Sequence, residues 1–187
     1  MRLLPYSMES LSDNAALPAI DSLYAEVAAT YAASLERLAQ AYEIDRERQR
    51  DLLQEIHLAL WRSFETFDGR CSLRTWVYRV AHNIGATHVL RARRNRASRH
   101  FTLEQIEALP GDTDMETRVD KQLTRERMLG LIQQMAPADR QLMLLYLDGL
   151  DGATIAEVTG LSVSNANTRI HRIKSTLTRL FSARAKP

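Results

Sequence analysis

The stretch ATIAEVTGLSVSNANTRIHRIK, residues 153–174, holds two helical periods separated by a glycine. Ile155, Ala156 and Val158 mark the inward side of the first period, and Leu161 and Val163 are expected to join them. Gly160 is placed to end the first helix, and Ser162 is placed to cap the second. Small Ala156 permits the two helices to cross closely. Two short helices joined in this way predict a helix-turn-helix. The second helix presents Ser164, Asn165, Asn167, Thr168 and Arg169, then His171, Arg172 and Lys174. Asn and Arg bond adenine and guanine edges in the major groove, and Arg and Lys also hold phosphates. A plain helical hairpin with a solvated basic face has the same period. The glycine turn, the cap and the polar-basic presentation together favour a reader of duplex DNA.

Working outward, the same helical character fills most of the chain. Val119, Leu123, Met128, Leu131, Ile132 and Met135 form a stripe that ends before Pro137, and the apolar PADRQLMLLYLDG segment follows. Before that lies TLEQIEALPGDTDMETRVD, whose six carboxylates face a single Arg118, with Pro110 and Gly111 as breakers. Nearer the N-terminus, Leu23, Val27, Tyr31, Leu35, Leu38 and Tyr42 repeat at helical spacing, as do Leu52, Leu53, Ile56, Leu60, Trp61 and Phe64. The opposite side of this second helix carries Arg50, Asp51, Gln54, Glu55 and His57. Nothing shows strand alternation. The expected fold is all-α: two small helical domains joined by an acidic linker, the second containing the helix-turn-helix. The expected boundaries are a flexible extension over 1–22, a first domain over 23–99, the linker over 100–117 and a second domain over 118–187.

The helix beginning TWVYRVAHN at Thr75 carries large rings early and Arg91, Arg93, Arg94 and Arg96 late. Trp76, Arg79, Val80 and Asn83 share one side by three- and four-residue spacing. Rings alone suit a core, and arginines alone suit a solvated helix end. Together, beside the loop Phe67–Ser72, they suit a single strand whose bases stack and whose phosphates need cations.

Other classes of protein are disfavoured. Cys71 is the one cysteine, which excludes a disulfide framework or a paired-thiol metal site and fits a reducing cytoplasm. His57, His82, His88, His100 and His171 are scattered without zinc-binding spacing, and no glycine-rich phosphate loop or nucleophile elbow is present. No enzyme activity, metal or cofactor is therefore expected. The N-terminal apolar run before Pro5 is too short for a signal-peptide core, and no stretch is apolar for the ~18 residues of a membrane span.

Two segments, DLLQEIHLALWRSFETFDGRCSLRTWVYRVAHN and MAPADRQLMLLYLDGLDGATIAEVTGLSVSNANTRIHRIKSTL, resemble the two domains of bacterial RNA polymerase sigma factors. Both occur in the family's order with no intervening third domain, which is similar to the extracytoplasmic-function group. The resemblance implies that core RNA polymerase and promoter DNA, both duplex and melted, are partners, commonly with an anti-sigma factor. It assigns polymerase docking to Asp51, Gln54 and Glu55. It gives the minus-ten element to Phe67, Trp76, Arg79, Asn83, Arg91, Arg93 and Arg94, with the loop Phe67–Ser72 taking a flipped base. The minus-thirty-five element falls to Ser164, Asn165, Asn167, Thr168, Arg169, His171, Arg172 and Lys174. Four positions depart from the family pattern. Arg50 stands where relatives have an acid, Thr87 where many have Asp or Asn, Ala166 where many have Val, and Asn167 where many have Lys or Arg, which suggests adenine as its base. The linker resembles the segment that threads the polymerase cleft, its carboxylates mimicking RNA phosphates. A stand-alone helix-turn-helix regulator is the alternative, but it leaves the aromatic-basic helix without a role.

Overall fold

The structure, a computed structural model, describes the backbone of residues 10–95 and 121–183 and the side chains of 20–92 and 126–180. The acidic linker expected over 100–117 lies outside the described residues. Among those described, the chain is helical throughout: α1 Ser10–Tyr42, α2 Arg46–Ser63, α3 Leu73–Asn95, α4 Lys121–Gln134, α5 Pro137–Leu147, α6 Gly152–Thr159 and α7 Val163–Ala183. A single 3-10 turn, Phe64–Thr66, follows α2.

Helices α1, α2 and α3 pack as a three-helix unit. Asp45 caps α2, its carboxylate accepting the Glu47 and Arg48 N–H groups at 3.0 Å each. This satisfies donors that the first helical turn leaves without partners. Leu52, Ile56 and Leu60 are then buried at helical spacing against Val27, Leu35 and Leu38 of α1 and Val77 and Ala81 of α3. As expected, Ser72 caps α3 by accepting from the Thr75 N–H at 3.0 Å. Gly85 is where α3 meets the end of α1: a Cβ there would lie 2.7 Å from the Tyr42 ring.

The N-terminal boundary differs from expectation. Helix α1 begins at Ser10 and runs through Pro18 and past residue 22, so 10–22 is helix rather than a flexible extension. At its inner end the added stretch is tied to α2: Asp21 accepts from the Trp61 indole at 2.8 Å, and Tyr24 bonds His57 at 3.1 Å.

The second unit is built from α4 to α7. Pro137 opens α5 at a position where its missing N–H costs nothing. Asp151 caps α6, accepting from the Thr154 N–H at 2.7 Å, and that bond holds its carboxyl below the usual range. Gly160 ends α6 at φ 73°. Ile155, Ala156 and Val158 are buried against Ala166, Ile170 and Ile173 of α7, as the spacing predicted. Val163 was expected inside and is instead 46% exposed, because it opens α7 at the rim of the turn.

The two units touch along α1 with α4 and α3 with α5 and α6. Arg140 of α5 is buried, donates to the Gln133 and Met135 carbonyls at the end of α4, and lies over the Tyr42 ring of α1 at 5.3 Å. Burying a guanidinium is costly unless carbonyls and a ring face replace water, and here both are supplied.

Candidate nucleic-acid interface

Three surfaces carry the residues singled out above. On α2, Asp51, Gln54 and Glu55 are exposed, opposite buried Leu52 and Ile56. Leu58, 48% exposed, and Arg62 continue the same stripe. Leu58 was missed by the sequence reading, although its spacing from Asp51, Gln54 and Glu55 marks it as outward-facing. Arg50 sits on the flank of this stripe and lines a cleft of about 550 Å³ between α1, α2 and α4, with Glu36, Arg46 and Glu126.

The second surface is α3 with the preceding loop. That loop is shaped by Asp68, which accepts from the Arg70 N–H at 3.1 Å and its guanidinium at 2.5 Å, and by Gly69 at φ 74°. The Arg70 N–H, then its side chain, hold the Asp68 carboxyl below its usual range. Phe67 and Trp76 come together, centroids 5.3 Å apart and tilted 54°, while the Trp76 indole donates to Ser63 at 2.9 Å. Trp76 is therefore half inside, and Tyr78 is buried outright.

The polar residues of α3 are engaged by the other unit. Arg79 donates to the Glu157 carbonyl at 3.0 Å and stands 4.0 Å from its carboxylate. Thr75 donates to the same carboxylate at 3.2 Å, and Arg74 donates to the Asp148 carbonyl at 2.9 Å. Arg37 of α1 pairs with the Asp148 carboxylate at 2.5 Å. Asn83 and Thr87 remain exposed one turn further on, with the Thr87 hydroxyl donating to the Asn83 carbonyl at 2.8 Å. Arg91 is exposed and 3.8 Å from Glu55, so a residue assigned to DNA neighbours one assigned to polymerase. The side chains of Arg93 and Arg94 lie outside the described residues.

The third surface is α7. Ala166, Ile170, Ile173 and Leu177 are buried on one side. Ser164, Asn165, Asn167, Thr168, His171, Arg172 and Lys174 are exposed. Two cations expected to point outward are held sideways by α5. Arg169 pairs with Asp139 at 2.5 Å, and Lys174 donates to the Tyr146 hydroxyl at 2.7 Å while lying 4.6 Å from its ring centroid. The Asn167 amide rests against Gly152, the first residue of α6. Asp139, Tyr146 and Gly152 carry no motif in the sequence; only the crossing of α5 and α6 with α7 reveals them. Among the described residues, no group of His, Cys, Asp and Glu is arranged to hold a metal ion, and no helix is long and apolar enough to cross a membrane.

This arrangement of helices agrees with comparisons to known proteins. The family models for sigma-70 region 2 and sigma-70 region 4 match residues 27–95 and 125–177. The sigma factor SigG of Mycobacterium tuberculosis is 30% identical over 150 residues, covering 68% of this chain and 40% of SigG. The chain thus spans under half the length of that relative. Among solved structures, CnrH in complex with the cytosolic domain of CnrY matches with a TM-score of 0.63 at 21% identity, covering 87% of this chain and 90% of that one. RpoE in complex with the anti-sigma factor NepR from Bartonella quintana gives 0.64 at 14% identity, covering 86% and 97%. These two likenesses speak for the two-unit helical fold. The chain belongs to the sigma-70 family of RNA polymerase sigma factors, in its extracytoplasmic-function group.

Proposed function

We propose that this chain is a sigma factor that binds core RNA polymerase, directs it to promoters through their minus-thirty-five and minus-ten elements, and promotes melting of the DNA. The observation that carries this reading is the exposed row Ser164, Asn165, Thr168, His171 and Arg172 over the buried Ala166, Ile170 and Ile173, in one chain with region 2. Such a helix presents base-reading side chains on a rigid support. Asp51, Gln54 and Glu55, extended by Leu58, form the docking face for polymerase: an acidic, partly apolar stripe suited to a basic partner surface. Asn83 and the Phe67–Trp76 pair contact the opened minus-ten strand. The chain acts without catalysis of its own, and its place is the cytoplasm, where polymerase is.

The contacts of Arg74, Thr75 and Arg79 with the second unit add a condition. These side chains cannot hold Glu157 and Asp148 and also follow a DNA strand, so the two units part before α3 engages promoter DNA. Two structural neighbours were solved with CnrY and with the anti-sigma factor NepR, and a comparable anti-sigma factor is a fitting partner for the joined arrangement. Run-off transcription with core polymerase across a promoter library tests the reading. Promoter-specific transcripts are expected only when this chain is added. Tight duplex binding in a gel shift without polymerase, with no stimulation of transcription, would favour the stand-alone regulator instead.

A further inference from the structure

Helix α5 and the residue after it take up cationic side chains from three other helices. Asp139, in the first turn of α5, pairs with Arg169 of α7 at 2.5 Å. Tyr146, in its last turn, accepts from Lys174 of α7 at 2.7 Å. Asp148, just past the end, pairs with Arg37 of α1, and its carbonyl accepts from Arg74 of α3. Parting of the two units frees Arg37 and Arg74. It leaves Arg169 and Lys174 in place, because α5 and α7 pack together within one unit.

The two α7 contacts differ in what they do to charge. A tyrosine hydroxyl carries none, so it cancels nothing on Lys174, which stays exposed. Asp139 meets its partner with a carboxylate. Its side chain is 12% exposed and that of Arg169 32%, so water and salt screen this pair less than a pair on the open surface. A guanidinium bonds a carboxylate and a phosphate in the same charge-assisted way, so Asp139 and a DNA phosphate compete for one side chain. The carboxylate is already in position, fixed where the start of a helix favours an acid with or without an arginine. Sequence-independent binding to a duplex depends on how many phosphates the protein's cations neutralise. A guanidinium neutralised inside the chain adds nothing to that number.

We propose that Asp139 is a brake on DNA binding: it withholds Arg169 from phosphate, so that α7 alone grips a duplex weakly and the chain depends on polymerase to hold it at a promoter. The proposal rests on the reading of α7 as the helix that faces the minus-thirty-five duplex. It goes beyond that reading by moving Arg169 from the DNA-contacting set to an internal pair, and by giving Asp139 a role in DNA affinity. The brake still acts when the two units have parted, which makes it separate from the cover over α3.

The test measures binding of the full chain, without polymerase, to duplex carrying the minus-thirty-five element over a range of salt concentrations. Asp139→Asn keeps the side-chain volume and removes the charge. It should tighten binding several-fold at low salt and steepen the slope of log affinity against log salt by about one, the mark of one added phosphate contact. Arg169→Gln should leave both quantities near the wild-type values, and the D139N/R169Q double variant should match R169Q. A structural staple between α5 and α7 would behave otherwise, with Asp139→Asn weakening binding in step with a lowered melting temperature. Weakened or unchanged binding by folded Asp139→Asn overturns the proposal. Should that variant fail to fold, Arg169→Gln decides: an unchanged slope supports the brake. A slope shallower by about one overturns it, because Arg169 then already contacts phosphate in the native chain. Asn165→Ala in the holoenzyme, transcribing a library with a randomised minus-thirty-five element, keeps two failures apart. Lost discrimination at one base position shows that α7 faces the duplex, so a failed Asp139→Asn test then overturns the brake alone. No such loss overturns the reading of α7 and the proposal with it.

Discussion

The two candidate DNA surfaces are built from similar residues and sit in opposite circumstances. On α7 the side chains from Ser164 to Arg172 mostly face solvent above a buried apolar row. On α3 the arginines Arg74 and Arg79 are held by carbonyl and carboxylate groups of the neighbouring unit. The α7 row is open to solvent. Part of the α3 surface is covered, and what covers it includes the first helix of the helix-turn-helix. Exposure of a basic residue in a sequence pattern is thus not exposure in the fold; a partner carboxylate within the chain satisfies a guanidinium as well as a phosphate does.

Acid should break this comparison most strongly. Beneath the covered surface lies His82, fully buried, bonded through Nδ1 to the Tyr42 hydroxyl at 3.1 Å and stacked on Tyr78. Burial lowers its pKa from 6.5 to about 3. The folded value lies below the unfolded one, so the unfolded chain takes up the extra proton first. Stability is full above pH ~6.5 and falls as pH drops towards ~3, by at most about 1.4 kcal/mol per pH unit from this group. A cation at His82 would also face the Tyr42 ring that Arg140 already covers from the second unit. Hydrogen exchange between pH 7 and pH 5 should therefore show α3 and the end of α1 losing protection before α7. Equal loss in both places would remove the buried histidine from the account.

A smaller effect is expected at Gly85. Alanine there would ordinarily strengthen a helix by up to about 1 kcal/mol. Its Cβ would meet three Tyr42 ring atoms at 2.7 to 3.0 Å, however, and that ring is fixed by His82 and Arg140. Overpacking of about 1–3 kcal/mol outweighs the gain, so Gly85→Ala should lower the denaturation midpoint by the equivalent of about 1 kcal/mol. An unchanged or raised midpoint would mean the ring can move aside.

Asp148→Ala tests the cover itself. It removes the carboxylate that pairs with Arg37, which is 43% exposed, so solvent screening limits the loss to about 1 kcal/mol. Small-angle scattering should show a larger average size, and a minus-ten single strand should bind several-fold more tightly to the variant holoenzyme. A compact variant with unchanged strand affinity would show that Asp148 does not hold the units together.

The smallest effect concerns the docking face. Arg50 lies on its flank, near Glu36 and Glu126 in the cleft, so Arg50→Glu should tighten core polymerase binding by only a fraction of a kcal/mol. The gain should appear at low salt and fade as salt screens it. Identical affinity at low salt would leave Arg50 outside the interface.

Much of the protein follows from its sequence alone. The four-residue spacing of Leu52, Ile56 and Leu60, the glycine at 160 and the serines at 72 and 162 fix helices, turn and caps, because these depend on neighbours within a few residues. The division into two helical units and the outward row on α7 follow for the same reason. Tertiary structure alone decides what lies between the helices. The bond of Asp21 to Trp61, the pairing of Arg169 with Asp139, the rest of Asn167 on Gly152 and the cover of Arg79 by Glu157 each join residues 15 or more positions apart. Such contacts leave no period in the chain. They arise because burying the apolar faces brings particular polar groups within bonding distance, and each then takes the nearest partner in place of water.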